Sequence, residues 1–371
     1  FYTRLQNPTN DYVASKIAAL EGGVGAMCTS SGQAASLLSI LNLCNAGDSF
    51  LATAEIYGGT VNLFTHTLKK LGIECIYIEK GMTDEEIDAL FKPNTKAVFG
   101  ETIANPALTV LDIERYANIA HRHGVPLIVD NTFATPVLCK PFDFGADIVI
   151  HSTTKYMDGH AVQGGGIIVD SGKFDWTNGN FPDFTEPDVT YHGISYTETY
   201  GKAAYIIKAR MQLMRDFGAY PAAHSAFLLN LGLETLALRM ERYCENALKV
   251  AKYFEQSDKI ESVTYPGLES DENHALAEKY LKGSSGVISI VIKGGRDNAV
   301  KFMDSLKLAS NEVHVADIRT CVLHPASETH RQLSDEQLVL AGIEPGMVRF
   351  SVGLENVDDI IEDIEQALAN I

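Results

Sequence analysis

The chain has 371 residues, 46% of them hydrophobic and 21% charged, which excludes disordered, collagenous and coiled-coil classes and leaves ample length for a buried core. Thirty Lys and Arg against 48 Asp and Glu give a formal charge of −18. That average field repels nucleic acid and anionic membrane surfaces, so neither is expected as a partner.

The elements follow in chain order. Asn7-Pro8-Thr9-Asn10 is turn and cap chemistry; Val13, Ile17 and Leu20 keep helical spacing, and Gly22-Gly23 stops the helix. A second helix is expected over Gln33–Cys44. Short apolar runs then recur at Ser49–Ala52, Cys75–Ile78, Ala97–Phe99, Leu127–Val129, Ile148–Ile150 and Ile167–Val169. They are continuous rather than alternating, as in strands buried on both faces. Helical patterns near Val61–Leu71, Thr83–Leu90 and Ile113–His123 lie between several of them, which predicts a mostly parallel sheet with covering helices. Residues 171–201 break the pattern with seven aromatics and two prolines, and such a long irregular segment points to function or an interface. A long helical region is expected over Ala222–Glu255. Beyond it lies a smaller α/β pattern: strands at Val287–Ile292 and Met347–Ser351, helices at Ala299–Leu306 and Val357–Ala369. A domain boundary is placed near 235. Lys208, Arg210 and Arg215 read as a solvated helix face.

Six cysteines without a Cys-x-x-Cys pair read as reduced thiols of a cytoplasmic protein. The eleven histidines have no ligand spacing, so no metal is expected. Nucleophile-elbow, P-loop and dinucleotide fingerprints are missing. No apolar run reaches the ~18–20 residues of a membrane span. The chain opens Phe1-Tyr2-Thr3-Arg4 without Met, so upstream residues are expected.

In doubly wound sheets ligands bind beyond the carboxyl ends of strands. Asp130 stands at one such end, and Lys155 follows the next strand in His151-Ser152-Thr153-Thr154-Lys155. Alone, Asp130 reads equally as a turn cap and Lys155 as a surface residue just past its strand. Together they fit a pyridoxal phosphate site, with a Lys to form the Schiff base and an acid to keep the ring nitrogen protonated. Ser152 and Thr154 supply hydroxyls suited to a phosphate. Thr29-Ser30-Ser31-Gly32-Gln33 opens a helix, where backbone N–H groups favour an anion, although for the motif alone a plain N-cap is the stronger reading. Tyr57, in Tyr57-Gly58-Gly59, reads as a ring-stacking residue or as ordinary core.

These segments resemble the Cys/Met-metabolism family of pyridoxal phosphate enzymes. The resemblance runs nearly end to end, from Tyr2-Thr3-Arg4 and Asn7-Pro8-Thr9 through Asp130-Asn131-Thr132-Phe133, His151-Ser152-Thr153-Thr154-Lys155-Tyr156 and His324-Pro325-Ala326-Ser327 to Val348-Arg349-Phe350-Ser351-Val352-Gly353-Leu354. It implies an α/β, aspartate-aminotransferase-like fold (pyridoxal phosphate fold type I). The implied domains are an arm over 1–10 that contacts a neighbouring subunit, a large mostly parallel-sheet domain over 11–235 and a small α/β domain over 236–371. It further implies Lys155 as Schiff-base residue and proton shuttle, Asp130 at the ring nitrogen, Thr132 among the cofactor-binding residues, and Tyr57 on the ring face. Ser31, Gly32, Gln33, Ser152 and Thr154 would hold the phosphate. Asn105 would sit beside the cofactor hydroxyl and substrate, and Arg349 would clamp the substrate carboxylate. Tyr2 and Arg4 would reach a neighbour's phosphate, hence a homodimeric active unit within a homotetramer.

Gln33, Tyr191–Tyr196, Asp170–Trp176 and Leu233–Arg242 are most similar to the O-acetylhomoserine sulfhydrylase branch, which implies replacement of acetate by sulfide or a small thiol in methionine biosynthesis. The alternative is a methionine γ-lyase or cystathionine lyase. Methionine γ-lyases usually carry Cys two places after the stacking Tyr, where this chain has Gly59. His314, and the residues before Asp317, depart from the family pattern.

Overall fold

A computed structural model describes residues 2–328 and 344–371; Phe1, the first residue of the expected arm, lies outside them. Contacts divide the chain into two compact units. The first holds residues 1–105, 111–158 and 162–234; the second holds 106–110, 159–161 and 235–371.

In the first unit, helix α1 (Pro8–Glu21) starts where the Asn7 side chain accepts the Thr9 N–H, with Pro8 in its first turn. It ends at Gly22, whose φ of +84° suits glycine. Strands β1 (Gly25–Thr29), β2 (Ser49–Thr53), β3 (Glu74–Ile78), β4 (Thr95–Glu101), β5 (Leu127–Asp130), β6 (Ile148–His151) and β7 (Gly166–Asp170) form one sheet in the order β1-β7-β6-β5-β4-β2-β3. The pairings from β6 through β5, β4 and β2 to β3 are parallel, while β7 runs antiparallel to both β6 and β1. The central strands are buried along almost their whole length, which explains their uninterrupted apolar runs. Helices α2 (Gly32–Leu41) and α3 (Gly58–Asn62) follow β1 and β2.

The second unit has a five-stranded sheet of β8 (Ile260–Thr264), β9 (Val287–Ile292), β10 (Ser310–Asn311), β11 (Cys321–Leu323) and β12 (Met347–Ser351), in the order β10-β11-β12-β9-β8. Val250 and Phe254 of the helix Leu236–Glu255, Phe302, and Ile360 and Ile364 of the helix Val357–Leu368 pack on Ile288, Ile290 and Phe350 of that sheet.

Several expectations change. β1 escapes the pattern because Gly25-Ala26-Met27 lacks β-branched residues; its pairing with β7 decides its state. β8, β10 and β11 are short or half-exposed and were not legible either. The expected helix over 222–255 is two helices, Ala223–Glu234 and Leu236–Glu255, broken at Thr235. The irregular 171–201 segment contains short helices, and its Trp176 and Phe184 stack with Tyr205 in a buried aromatic cluster.

The basic trio is not one solvated face, although Arg215, with its exposed partner Asp216, does lie at the surface. Lys208 is 4% exposed: its ammonium donates to the Asn42 carbonyl at 3.2 Å and lies 5.0 Å from the centre of the Phe184 ring. Arg210 pairs with Asp11 and donates to the Ala26 carbonyl, and Arg215 pairs with Asp216. The aromatic and aliphatic surroundings bury the Lys208 stem, and local carbonyl and ring density receive its charge.

Burial pushes the Lys208 ammonium down to about 8, whereas an unfolded lysine titrates near ~10.4. Between those values the unfolded chain binds more protons, so this group makes stability rise with pH. Lys208→Met removes that dependence. Urea unfolding of both proteins from pH 7 to 10 should show the wild type gaining on the variant above pH 8; parallel curves would show that Lys208 is not desolvated.

Candidate active site

The carboxyl ends of β4, β5 and β6 place three chemistries side by side. Glu101 pairs in register with Asp130, and Asp130 with Ile150, one residue before His151. Asp130 Oδ1 accepts from both the N–H and the hydroxyl of Thr132, and the Thr132 hydroxyl oxygen accepts the Ser152 N–H at 2.8 Å. Thr132 therefore couples the acid to the start of the loop that carries Lys155. The turn-cap reading of Asp130 is correct as far as Oδ1 goes; Oδ2 takes no part in those bonds. Burial raises the Asp130 carboxyl, while the Thr132 bonds and the charge of His151 pull it down.

Lys155 lies in the tight turn after β6, where its N–H donates to the Ser152 carbonyl. The return of the chain to β7 is anchored by Thr154, whose hydroxyl donates to the Gly165 carbonyl at 3.2 Å and accepts the Gly165 N–H at 3.1 Å. That hydroxyl proton is thus engaged within its own loop.

Opposite the Lys155 loop stands the N-terminus of α2. Ser31 caps it, its side chain accepting the Ala34 N–H and its carbonyl the Ala35 N–H. The N–H groups of Gly32 and Gln33 are the two of the first turn that these bonds do not use. Gly32 approaches Ser152 so closely that a Cβ at 32 would lie 2.6 Å from Ser152 Cβ and 2.9 Å from its Oγ. At Gly166 a Cβ would lie 2.2 Å from the Ser31 carbonyl oxygen. Two glycines thus let a helix N-terminus and the Ser152 hydroxyl converge, a geometry suited to an oxyanion.

Tyr57 precedes α3 with its ring half exposed. Its N–H donates to Glu101 Oε1 at 2.7 Å, and the Asn105 N–H donates to Glu101 Oε2 at 3.3 Å. One buried carboxylate thus fixes the backbone of both residues. Sequence reasoning missed Glu101, although it ends an apolar strand in the same way as Asp130. Burial and the neighbouring Asp130 charge hold the Glu101 carboxyl well above the usual range. Two adjacent buried acids do not ionise together readily, and Asp130, with its Thr132 donors, is the one built to carry the charge.

In the second unit, Arg349 lies on β12 between Leu323 and Ser289 of its neighbours and is 6% exposed. Its Nη2 donates to the Val313 carbonyl at 3.0 Å, with the His314 carbonyl at 3.5 Å. The departure at His314 therefore falls on the segment that holds this guanidinium. His314 faces Asp317 at 3.6 Å, and Asp317 also receives the fork of Arg319, which lowers its carboxyl. His324 braces a turn through Ser327 and the Pro345 carbonyl. Tyr2 and Arg4 stack on each other, and Arg4 donates to the Arg215 carbonyl.

A profile of the family described as Cys/Met metabolism PLP-dependent enzyme matches residues 1–369. The chain belongs to this family. It is 46% identical to an O-acetyl-L-homoserine sulfhydrylase of Leptospira meyeri over 380 aligned positions, covering 100% of this chain and 86% of that protein. It is 48% identical to a homocysteine synthase of Schizosaccharomyces pombe, with 99% and 86% coverage. Among solved structures, a Campylobacter jejuni protein described as an O-acetylhomoserine (thiol)-lyase superposes with a TM-score of 0.94 at 37% identity, covering 100% of this chain and 88% of that one. That structure carries a pyridoxyl-lysine monophosphate. The aminotransferase-like fold expected from the motifs is thus the fold observed, and pyridoxal phosphate is the cofactor of this family.

The residues of this chain fit the group. A buried acid with one oxygen outside its turn suits a ring nitrogen, an amine follows on the adjacent strand end, and a glycine-lined helix N-terminus suits the phosphate. Among the described residues, no group of three or more His, Cys, Asp or Glu could hold a metal, and no helix is long and apolar enough to cross a membrane.

Gly32→Ala should weaken pyridoxal phosphate binding by ~10-fold or more, because its methyl would occupy the space against Ser152; a tenfold loss corresponds to ~1.4 kcal/mol. Equilibrium titration of the apoprotein, followed by cofactor absorbance, checks this. An unchanged dissociation constant would remove Gly32 from the phosphate cradle.

Proposed function

We propose that the chain is an O-acetylhomoserine sulfhydrylase, which replaces the acetate of O-acetylhomoserine with sulfide, or a small thiol, in methionine biosynthesis. The observation that carries this reading is the Asp130–Thr132–Ser152 bridge, which sets a buried acid and Lys155 on adjacent strand ends in a chain so similar to sulfhydrylases over its full length.

Bound pyridoxal phosphate supplies an electron sink for carbanions formed next to the substrate amino group. Lys155 Nζ, as the free amine, takes the α-proton, hands it on within the cofactor-bound substrate and, a free amine again, takes the β-proton of the amino acid. Loss of the β-proton expels acetate from the γ-carbon; hydrosulfide adds there and the protons return from Nζ, giving homocysteine plus acetate. Asp130 holds the proton on the cofactor's ring nitrogen, with Thr132 fixing its orientation. Tyr57 covers the ring face. Asn105 meets the cofactor hydroxyl and substrate, and both are set in place by Glu101. The Gly32 and Gln33 N–H groups, Ser31, Ser152 and the Thr154 segment hold the phosphate. Arg349 binds the substrate carboxylate through its planar fork. Tyr2 and Arg4 serve the phosphate of a partner subunit, so the active unit is a homodimer within a homotetramer, located in the cytoplasm.

Gly59 favours replacement over a methionine γ-lyase. A Cβ at 59 would lie 2.5 Å from Tyr57 Cε1 and 3.2 Å from Gln33 Nε2, so the observed Tyr57 ring occupies the space where those lyases carry cysteine.

The assay supplies O-acetylhomoserine with sulfide, and separately methionine or cystathionine alone. Homocysteine is expected from the first, abolished in Lys155→Ala. Efficient release of α-keto acid and ammonia from the second, without a thiol or thioether product from the first, would make the enzyme a lyase. Gly59→Cys should displace the Tyr57 ring and lower kcat/KM for replacement ~10-fold, equivalent to ~1.4 kcal/mol, without moving the melting midpoint. Steady-state kinetics beside a thermal melt separates this from a folding defect.

A further inference from the structure

Behind Asp130 lies a pair of ionisable groups that the reaction above does not use. His151 Nε2 meets Glu21 Oε1 at 2.6 Å, and both side chains are fully buried. Glu21 is the last residue of α1, on the same helical face as Val13, Ile17 and Ala18, where an acid has no place unless something receives its charge. Asn131, next to Asp130, also reaches this oxygen: its amide nitrogen donates to Glu21 Oε1 at 3.1 Å and to the Cys139 carbonyl at 3.0 Å. The carbonyl can only accept, so the amide nitrogen must face this way, while Asn131 Oδ1 accepts the Thr102 hydroxyl at 2.8 Å. Glu21 Oε1 therefore accepts the Asn131 amide, and with His151 Nε2 as the second donor the arrangement is that of an ionised carboxylate. Glu21 Oε2 and His151 Nδ1 are buried without a hydrogen-bond partner.

We infer that Glu21 and His151 are positioning residues for the cofactor: a buried carboxylate–imidazolium pair in which Glu21 keeps His151 protonated, and the His151 charge keeps Asp130 ionised toward the ring nitrogen. This rests on the reading that the site holds pyridoxal phosphate. The charges at the three strand ends support it. Glu101 stands beside Asp130 on β4, and burial favours the neutral form of both acids. Thr132 supplies hydrogen bonds to Asp130 but no charge. His151 supplies the positive charge, and it lowers the Asp130 carboxyl. A neutral His151 would leave Asp130 to take up a proton itself, and a neutral acid cannot hold the pyridinium form that the electron sink requires. The same pair also ties the ends of β5 and β6 to α1, so the two strands that carry Asp130 and the Lys155 loop share one anchor.

Two measurements test this on the full-length holoenzyme. Neutron diffraction of the wild-type protein should show deuterium on both Nδ1 and Nε2 of His151 and none on Glu21. A bare Nδ1, or deuterium on the Glu21 carboxyl, overturns the inference without any variant. Glu21→Gln and His151→Gln are then reconstituted with ring-15N pyridoxal phosphate. Both should move the ring nitrogen resonance from the pyridinium position of the wild type toward that of neutral pyridine. Both should also lower kcat more than they change KM, and Glu21→Gln should raise the cofactor dissociation constant ~10-fold. A lowered melting midpoint with an unmoved nitrogen resonance reduces the pair to a structural brace and overturns the inference. A wild type that takes up no pyridoxal phosphate overturns the functional reading first and this one with it.

Discussion

The parallel register of β4, β5 and β6 is the constraint on which the cofactor half of the site depends. Because Glu101 pairs with Asp130 and Asp130 with Ile150, three consecutive strand ends deliver an acid, a second acid and the start of the Lys155 loop within neighbouring positions. A one-residue slip of any pairing would turn the end residue to the opposite face of the sheet. Close packing resists that slip, since Val98, Phe99, Ile128, Val129, Val149 and Ile150 are wholly enclosed and would each have to repack. Core packing and site geometry are therefore one requirement. The antiparallel β7 adds to it: the chain must turn back after β6, and the loop made by that reversal, pinned by Thr154 and Gly165, is where Lys155 sits.

That register has an electrostatic cost. It collects buried carboxylates where water cannot screen them, and each is relieved differently. Asp130 receives two donors from Thr132. Glu101 accepts two backbone N–H groups and is held neutral more readily than its neighbour. Glu21 is matched by the His151 imidazole and the Asn131 amide. Each relieving donor belongs to a residue that also fixes a strand end or a turn, so removing one would alter both charge and geometry.

What was legible in the sequence follows from how local its cause is. Strands β2 and β4 to β7 of the first unit announced themselves as apolar runs because both their faces are buried, and the half-exposed edge strand β3 through its run Cys75–Ile78; β1, with glycine and alanine, did not, since its state is set by its partner β7. Asp130 and Lys155 could be read as a pair because one ends its strand and the other lies in the turn just after the next. Lys208 could not be placed, because its burial depends on Phe184 and Asn42, far away in sequence. Glu101 and Glu21 lay open to pattern reading: one ends an apolar strand, the other stands on the apolar face of α1. Their significance appears only when His151, Asn131 and the Tyr57 N–H are brought to them by the fold.

The formal charge of −18 also acquires a structural meaning. A phosphate and an amino-acid carboxylate are anions, and an acidic protein can hold them only where the local field opposes the average one. At α2, the phosphate site proposed above, this needs no added charge: backbone N–H groups at a helix start and glycines that allow close approach suit an anion. At β12 the proposed carboxylate partner is a buried guanidinium, already oriented by the carbonyls of 313 and 314. Surface charges beyond ~8–10 Å are screened at physiological ionic strength, so the acidic exterior does not reach these sites in proportion to its size. On the proposed reading the net charge can therefore vary with little effect on cofactor binding, whereas the α2 N-terminus and the buried side of Arg349 cannot.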